Sequence, residues 1–367
     1  MFCQKVVLYN LAVTQTMTLR NQKNHYNVKF LKGYGCAVNL KGNQVTLKNG
    51  LSPFSDSREI ETFYVTKIPY EKIIMSGNGY VSTNAVKLLT EKNIQLLITD
   101  TYGNPVSFMS HIMNSNTSTR YRMGQYDTFR DKSKVEFLQR KVSKDKLDAQ
   151  LRLLRRIDAS SESIEKLTKY RSSIERLFTT RQFLTLESRV GHIYFNEYTR
   201  HFHSDYEFVS RHGMGLRMTN QNAGDIVNSL LNYGFTVLAG EITKFVNGIG
   251  LDAYFGFYHK NHTSFQALVY DLIEPFRPLV EYAVFKFCQR NQMRYPKKRE
   301  YAHTKDGTVI METALITRFL EKLERVFQEE RRYKIKAGVK KKDGTSMCQE
   351  ITIAKTYVQE LADFCTS

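Results

Sequence analysis

The 367-residue chain has no long apolar run and few cysteines. It lacks the stretch of about eighteen apolar residues that a membrane-spanning helix needs, so no such helix and no membrane partner are expected. The N-terminal sequence MFCQKVVLYNLAVTQT has a short apolar run and no clear cleavage site, which argues against a signal peptide. The five cysteines are scattered and odd in number, which favours free thiols in a reducing, cytoplasmic compartment.

Several catalytic signatures are also missing. The chain has no Gly-x-x-x-x-Gly-Lys-Ser/Thr loop and no Gly-x-Ser-x-Gly motif, so nucleotide hydrolysis and serine-hydrolase chemistry have no support. It has neither paired cysteines at zinc-finger spacing nor a His-Glu-x-x-His motif, which makes a zinc site a poor expectation.

Acidic residues are comparatively scarce. Fifty-four Lys and Arg stand against 36 Asp and Glu, which gives a net charge of +18 and an isoelectric point near 9.5. Such a chain favours a polyanion partner, because binding to phosphates releases counterions. A membrane surface is the competing interpretation, but no basic helix with a bulky apolar face is evident.

The positive charge is concentrated in two runs. Residues 120–156 hold twelve basic and five acidic residues, and residues 331–342 hold seven basic residues and no acid. Such runs are ordinarily solvated surface, but two of them in one basic region favour phosphate contacts. The DNA-binding candidates are Arg152, Arg155, Arg156, Arg331, Arg332, Lys340, Lys341 and Lys342.

The residue pattern predicts two domains. Residues 26–110 are rich in β-branched and aromatic residues between Gly and Asn-Gly turns, with one helical segment at TNAVKLLTEKN. Gly and Pro then become rare until Gly191, and the apolar period becomes helical. The predicted fold is α+β. It comprises an extension over 1–29, a β-sandwich-like domain over 30–115, and an all-α catalytic domain over 116–367 that includes a helix over 309–334.

The segment RQFLTLESRVGHIYF (181–195) places a carboxylate within a helical apolar pattern. Three apolar neighbours lie three or four positions from Glu187 and share its helix face: Phe183, Leu184 and Val190. The spacing predicts that Glu187 points toward the apolar stripe. It is either a glutamate at the stripe's edge, paired with an arginine, or a functional carboxylate.

The apolar, aromatic stretch GFYHKNHTSFQALVYDLIEPFRP (256–278) contains two further carboxylates. Asp271 and Glu274 have i,i+3 spacing, and their apolar flanks predict that both are buried on one face. Buried carboxylates that lie close together repel each other unless a cation pairs with them. Arg277 is one candidate for that cation, and a divalent metal ion is the other.

A histidine in the same stretch extends this set. A single histidine among aromatic residues is usually structural, but His259 together with Glu187 and Glu274 would supply metal ligands from three segments. Carboxylate oxygens suit Mg²⁺ or Mn²⁺, and the imidazole favours Mn²⁺. In a basic chain this site indicates phosphodiester chemistry, because the metal can activate the attacking oxygen and stabilise the leaving one.

These residues resemble the CRISPR-associated integrase family, the metal-dependent endonucleases that insert spacers into CRISPR arrays. Glu187 with Tyr194 and Phe195 resembles the family's glutamate helix, and residues 225–259 resemble its Asn-x-x-Leu-Asn-Tyr-Gly and Gly-Leu-Asp-x-Tyr-x-Gly-x-x-His motifs. ALVYDLIEPFRP resembles its Asp-Leu-x-Glu-x-Phe-Arg-Pro block. The likeness covers roughly residues 30–365, with the motifs in order.

The resemblance implies an N-terminal β-sandwich that dimerises and a helical catalytic domain. It implies that Glu187, His259 and Glu274 are the metal ligands and that Asp271 is an accompanying catalytic acid. It also implies that the partners are double-stranded DNA, as donor ends and as target, and a second copy of the chain. In a CRISPR setting, the small adaptation protein would be a further partner.

Two features depart from the family pattern. Pro275 follows Glu274 where a helix former is usual, and proline disfavours a helical residue before it, which weakens the shared-face argument. About thirty residues precede the first matching strands, and this extension together with the basicity resembles the transposon-encoded casposase branch. The roughly thirty residues after RRYKIKAGVKKK are too few for the additional helix-turn-helix domain of many casposases.

The function expected from the sequence is DNA integration, in which a free DNA 3′-hydroxyl attacks a target phosphodiester with the help of Mg²⁺ or Mn²⁺. Casposon transposition and CRISPR spacer integration share this chemistry, and the casposase is slightly favoured. The alternatives are a structure-selective DNA repair nuclease and a non-catalytic architectural DNA-binding protein. The complete set of Glu187, His259, Asp271 and Glu274 argues against the architectural alternative.

Overall fold

The computed structural model describes residues 28–51, 58–70, 72–92, 94–100, 105–109, 119–211, 223–259, 266–290, 295–334 and 345–367. The predicted extension over 1–29 lies almost wholly outside these ranges, and so does the predicted domain boundary near 115.

The N-terminal half forms two four-stranded sheets, as a β-sandwich-like domain requires. The first sheet has the strand order β1-β5-β7-β8, with β8 antiparallel to β7 and the other pairs parallel. Its strands are β1 (Val28–Lys32), β5 (Lys72–Ser76), β7 (Gln95–Thr99) and β8 (Pro105–Met109). The second sheet has the order β4-β3-β2-β6. Its strands are β2 (Cys36–Lys41), β3 (Gln44–Lys48), β4 (Ile60–Tyr64) and β6 (Gly79–Val81).

One core joins the two sheets and the first helix, α1 (Thr83–Glu91). Leu31 and Ile73 of the first sheet contact the same cluster as Val38 and Leu47 of the second. Leu89 of α1 is also fully buried there, which confirms the one helix predicted within the β region.

The C-terminal half is mainly helical. Its helices are α2 (Thr119–Arg130), α3 (Lys132–Arg156), α4 (Ser161–Ser173), α5 (Thr180–Thr199), α6 (Ile226–Ile249), α7 (Ala267–Ile273), α8 (Arg277–Cys288), α9 (Thr313–Phe327) and α10 (Glu350–Cys365). Helix α6 is almost completely buried, with Asp225 capping its first turn through the Asn228 amide and Gly250 ending it at φ 102°. None of the helices in the described ranges is long and apolar enough to cross a membrane.

The second half is mainly helical, as predicted, but the helix predicted over 309–334 was wrong at both ends. Two short hairpins interrupt the helices: β9 (Tyr301–His303) with β10 (Val309–Met311), and β11 (Glu330–Lys334) with β12 (Thr345–Gln349). Along β11 the exposure alternates from residue to residue, which is the two-residue period of a strand rather than that of a helix. Gly307, at φ 81°, allows the turn between β9 and β10.

The first sheet is anchored on α6. The Phe30 ring meets the Tyr233 ring edge-on with centroids 5.3 Å apart. Lys72 Nζ lies 2.6 Å from Glu241 Oε1, and both side chains are almost fully buried. A Cβ at Gly240 would lie only 2.6 Å from Lys72 Nζ, so the glycine makes room for this ion pair. The β domain thereby holds one side of the helix whose other residues line the candidate site.

Candidate active site

A cavity of about 710 Å³ opens among α3, α5, α6 and the segments around residues 258 and 274. Its walls contain three of the predicted functional side chains, Glu187, His259 and Glu274. The cavity falls within the size range of ligand sites, and it is larger than a metal ion with its ligands requires. The fold therefore brings residues from three distant segments into one cleft.

Helix α5 delivers Glu187. The helix starts at a capping box, in which the Thr179 hydroxyl accepts from the Gln182 amide and the Gln182 side chain accepts from the Thr179 amide. The buried stripe of α5 consists of Phe183, Leu186, Val190, Tyr194, Glu197 and Tyr198. The prediction that Glu187 shares this stripe with Leu184 was inaccurate. Leu184 is half exposed, and Glu187 lies at the stripe's edge, where its carboxylate reaches the cavity.

Asp271 anchors the loop that carries His259. Its carboxylate is fully buried and accepts three backbone N–H bonds, from Phe257 at 2.7 Å, Tyr258 at 3.0 Å and His259 at 2.8 Å. It also lies 2.5 Å from His259 Nδ1. A Cβ at Gly256 would come within 2.6 Å of Asp271 Oδ2, so this position needs glycine. Asp271 therefore acts through His259 by fixing its ring.

Asp271 also sets the charge state of the imidazole. Burial alone would lower the pKa of His259, but the hydrogen bond and charge of Asp271 outweigh burial and raise it. With Nδ1 directed at the carboxylate, Nε2 is the ring atom that can coordinate a metal. Carboxylate–histidine pairs of this kind orient metal ligands in many proteins.

Glu274 lies where α7 passes into α8 through a 3₁₀ turn, Glu274–Phe276. Its backbone remains helical, at φ −52° and ψ −45°, so Pro275 does not redirect the chain as its restriction on the preceding residue suggested. Asp271 and Glu274 are both buried, as predicted, but different groups satisfy them. Arg277 Nη1 donates to Glu274 Oε1 at 2.9 Å, which confirms the arginine alternative for this carboxylate.

A second cation on Glu274 was not predicted. Lys146 Nζ lies 2.6 Å from Glu274 Oε2 and also pairs with Glu187 Oε1. Burial alone would raise the pKa of Glu274, but the charges of Arg277 and Lys146 hold it at about 2. Burial likewise would lower the pKa of Lys146, but the charges of Glu274 and Glu187 raise it. The four side chains Lys146, Glu187, Glu274 and Arg277 form one cluster of ion pairs.

The residue spacing along α3 indicates that Lys146 lies on the inner face of the helix, although its charge alone suggested a surface position. It was counted among the twelve basic residues of 120–156 and so with the DNA-facing surface. Val142 and Gln150, one turn before and one turn after it, are both buried on α3. Residues four apart share a helix face, so Lys146 belongs to the inner face of α3.

Glu187, His259 and Glu274 are of residue types that bind divalent cations. Among the described residues, no three His, Cys, Asp or Glu side chains are already gathered around a point that could hold a metal. In the described cluster the Lys146 ammonium lies between the carboxylates of Glu187 and Glu274. The Lys146 ammonium therefore occupies the position at which two carboxylates and an imidazole could provide ligands for Mg²⁺ or Mn²⁺.

A tyrosine adds a donor at the cavity wall. The Tyr258 hydroxyl donates to Glu187 Oε2 at 3.2 Å. Burial and the charge of Glu187 raise the pKa of Tyr258, so its hydroxyl stays protonated. Sequence reasoning treated Tyr258 only as part of the His259 motif.

The Asn-x-x-Leu-Asn-Tyr-Gly motif of α6 contributes Asn232 to the cavity wall, beside Arg211. Arg211 donates to Asn228 Oδ1 and to Asn232 Oδ1, each at 2.7 Å. A Cβ at Gly234 would lie 2.3 Å from Val280 Cγ1, so this glycine permits close packing of α6 on α8. The motif therefore combines a polar wall with the helix contact that positions Glu274.

The basic candidates lie in varied settings. Arg152, Arg155 and Arg332 are exposed near the end of α3 and on β11. Arg156 pairs with Glu329 and lies over the Tyr282 ring at 3.7 Å, and Arg331 pairs with Glu350 at 2.7 Å. The remaining candidates are outside the described residues: Lys340, Lys341 and Lys342.

The chain thus combines a two-sheet N-terminal domain with a helical half that contains a carboxylate–histidine cleft. The family described as CRISPR associated protein Cas1 matches residues 30–325, and the chain belongs to that family.

Three relatives illustrate the likeness. CRISPR-associated endonuclease Cas1 1 of Archaeoglobus fulgidus is 26% identical over 243 residues, which cover 61% of this chain and 69% of that protein. A casposase bound to its integration product has a TM-score of 0.78 at 23% identity, covering 92% of this chain and 90% of that one. A chain of a Cas6-RT-Cas1–Cas2 complex has a TM-score of 0.68 at 16% identity, covering 94% and 35%. The two structures confirm the fold, α+β with N-terminal strands and a helical C-terminal region.

Proposed function

We propose that this protein is a metal-dependent DNA integrase that joins DNA 3′-hydroxyl ends to target DNA by transesterification. The observation that carries the proposal is the convergence of Glu187, His259 and Glu274 on one cleft with a cation between the two carboxylates. The family membership, the endonuclease relative and the casposase with its integration product support it.

The expected reaction exchanges one phosphodiester bond for another. The donor 3′-oxygen bonds to a target phosphorus, the target's own 3′-oxygen leaves, and the attacking hydroxyl's proton is lost as the leaving oxygen gains one. No ATP is needed, because the number of phosphodiester bonds is unchanged. Mg²⁺ or Mn²⁺ held by Glu187, His259 and Glu274 would activate the attacking oxygen and stabilise the leaving one.

The chain's own residues prepare the cleft. Asp271 holds the His259 ring and the backbone of residues 257–259 through four contacts, so the imidazole need not reorganise. Arg277 lies 2.9 Å from Glu274 Oε1 and keeps that buried carboxylate ionised as a ligand. The protonated Tyr258 hydroxyl orients Glu187 from its other oxygen.

Assembly and biological role follow from the same proposal. Joining two DNA ends needs two active sites, and we propose a homodimer formed through the β domain. The casposase and the Cas1–Cas2 complex are alternatives for the setting, with Cas2 as the partner in the second. The same chemistry serves both roles, so neighbouring genes would distinguish them: a CRISPR array, or a polymerase between terminal inverted repeats.

Strand joining itself tests the proposal. Short duplexes with free 3′-hydroxyls are expected to become covalently attached to plasmid DNA in Mn²⁺ or Mg²⁺ without ATP. The same duplexes ending in 3′-dideoxy or 3′-phosphate should not join, because the attacking hydroxyl is absent.

Other outcomes would replace the proposal. Hydrolysed plasmid without joined product would indicate a repair nuclease, which needs only an activated water. Tight DNA binding with neither cutting nor joining would indicate an architectural protein. Joining of blocked ends would contradict the 3′-hydroxyl mechanism.

The exposed arginines should contribute to DNA affinity through phosphate contacts. Replacing Arg152, Arg155 and Arg332 by glutamine should reduce the slope of log affinity against log salt by roughly 0.9 for each lost contact. Fluorescence anisotropy of a labelled duplex across a salt series measures that slope. The matched control replaces three lysines that pair with exposed glutamates, Lys144, Lys166 and Lys169. An equal change in both variants would mean that only overall charge matters.

A further inference from the structure

Lys146 is less exposed than the basic residues that we propose contact DNA. Its side chain is 18% exposed, and its ammonium pairs with both Glu187 and Glu274. Burying an ammonium is costly unless it is paired, so the two contacts account for its place on the inner face of α3. Neighbouring lysines of the same helix behave differently. Lys144 pairs with Glu175 at the surface, where the two side chains are 37% and 54% exposed.

The charges of the cluster show why this lysine matters for metal binding. Glu187 and Glu274 provide two negative charges, and Lys146 and Arg277 provide two positive ones, so the metal-free cluster is neutral. A divalent ion added to all four would leave a half-buried group with an excess charge of two. Removing the ammonium from between the carboxylates halves that excess and frees the oxygens that a metal would bind.

Arg277 does not compete in the same way. It contacts Glu274 Oε1, whereas Lys146 contacts Oε2 of the same carboxylate and also reaches Glu187. Only Lys146 therefore bridges the two carboxylates within the described cluster, and a metal that joined them would meet its ammonium.

We propose that Lys146 is an internal counter-ion that holds the cation position of the active site and is displaced when a divalent metal binds. It stabilises the metal-free cleft, and the same contacts lower the affinity for metal. The inference rests on the metal site of the proposed function and adds the regulation of that site.

The test compares Mn²⁺ binding by the full-length wild-type protein and Lys146→Met. Methionine keeps an unbranched chain of similar length without the charge. We expect the dissociation constant for Mn²⁺, from the electron paramagnetic resonance signal of free Mn²⁺, to fall about tenfold in the variant. Without metal the variant should melt below wild type, and Mn²⁺ should raise its melting temperature by a larger increment.

Two control variants separate the bridge from charge alone. Lys144→Met removes one positive charge from the same helix at a solvent-exposed pair, so the Mn²⁺ dissociation constant should stay within about twofold of wild type. Glu187→Gln in the Lys146→Met background should abolish the gain, because one of the released carboxylates is gone.

Each result bears on the inference. Equal Mn²⁺ affinity in wild type and Lys146→Met overturns the counter-ion role while leaving the integrase proposal intact, as does an equal gain in Lys144→Met. Weaker binding in Lys146→Met overturns it as well, because Lys146 would then support the metal. Mn²⁺ binding that does not change with Glu187→Gln in any background removes the metal site and with it both proposals.

Discussion

Replacing Glu274 by glutamine is expected to reduce strand joining by roughly 10³-fold. Glu274 is the buried carboxylate between Lys146 and Arg277, and its oxygens face the cation position. A metal ion contributes several kcal/mol to a phosphodiester transition state, and about 1.4 kcal/mol corresponds to each factor of ten in rate. Gel quantification of labelled duplex joined to plasmid, with Mn²⁺ affinity measured in parallel, tests this expectation.

Glu175→Gln is the matched control for this change. Glu175 also pairs with a lysine of α3, but it lies exposed at the surface and away from the cleft. Joining by Glu175→Gln should match wild type, because exposed ion pairs contribute little. If Glu274→Gln retains more than a tenth of wild-type joining, Glu274 is not a metal ligand.

Replacing Asp271 by asparagine should both destabilise the protein and weaken metal binding. The carboxylate accepts bonds from three backbone N–H groups and lies against the His259 ring. An asparagine must turn its NH₂ group toward at least one of these donors. The free energy of unfolding should fall by about 2–4 kcal/mol. Mn²⁺ affinity should fall about 10–100-fold, the usual effect of losing a partner that orients a metal ligand.

Lys72→Met supplies the control for general destabilisation. It leaves Glu241 as a buried charge without its lysine, in the contact between the β domain and α6 and outside the lining of the cleft. It should lower the free energy of unfolding by about 3–5 kcal/mol and leave Mn²⁺ affinity unchanged. Urea unfolding and Mn²⁺ titration measure the two effects separately. A comparable loss of Mn²⁺ affinity in Lys72→Met would mean that Asp271 acts through stability alone.

Local sequence patterns predicted the division into a β-rich half and a helical half well. The helix at Thr83–Glu91 and the long helices α3, α5 and α6 follow from apolar spacing, because periodicity is a property of the segment itself. The strand pair within 301–311 and the pairing of 330–334 with 345–349 were missed. They are short, and their strands are stabilised by pairing with each other rather than by a long apolar pattern.

Within the site, too, the sequence predicted local features but not the contacts between distant segments. Burial of Asp271 and Glu274 follows from their apolar flanks, and a buried carboxylate requires a partner. The sequence could not show which partner each acquires. Asp271 bonds to the His259 loop, whereas Glu274 pairs with Arg277 from its own turn and with Lys146 from a helix more than a hundred residues earlier.

The sequence by itself determined the family and the two structural halves, and it singled out the carboxylates and the histidine that we propose carry the chemistry. These depend on residue types at fixed local spacing, which the sequence contains in full. Only the tertiary structure decided that Lys146 pairs with Glu187 and Glu274, and that Asp271 serves the loop of His259. Both assignments depend on how α3 and α7 pack, and packing places residues together that no spacing along the chain relates.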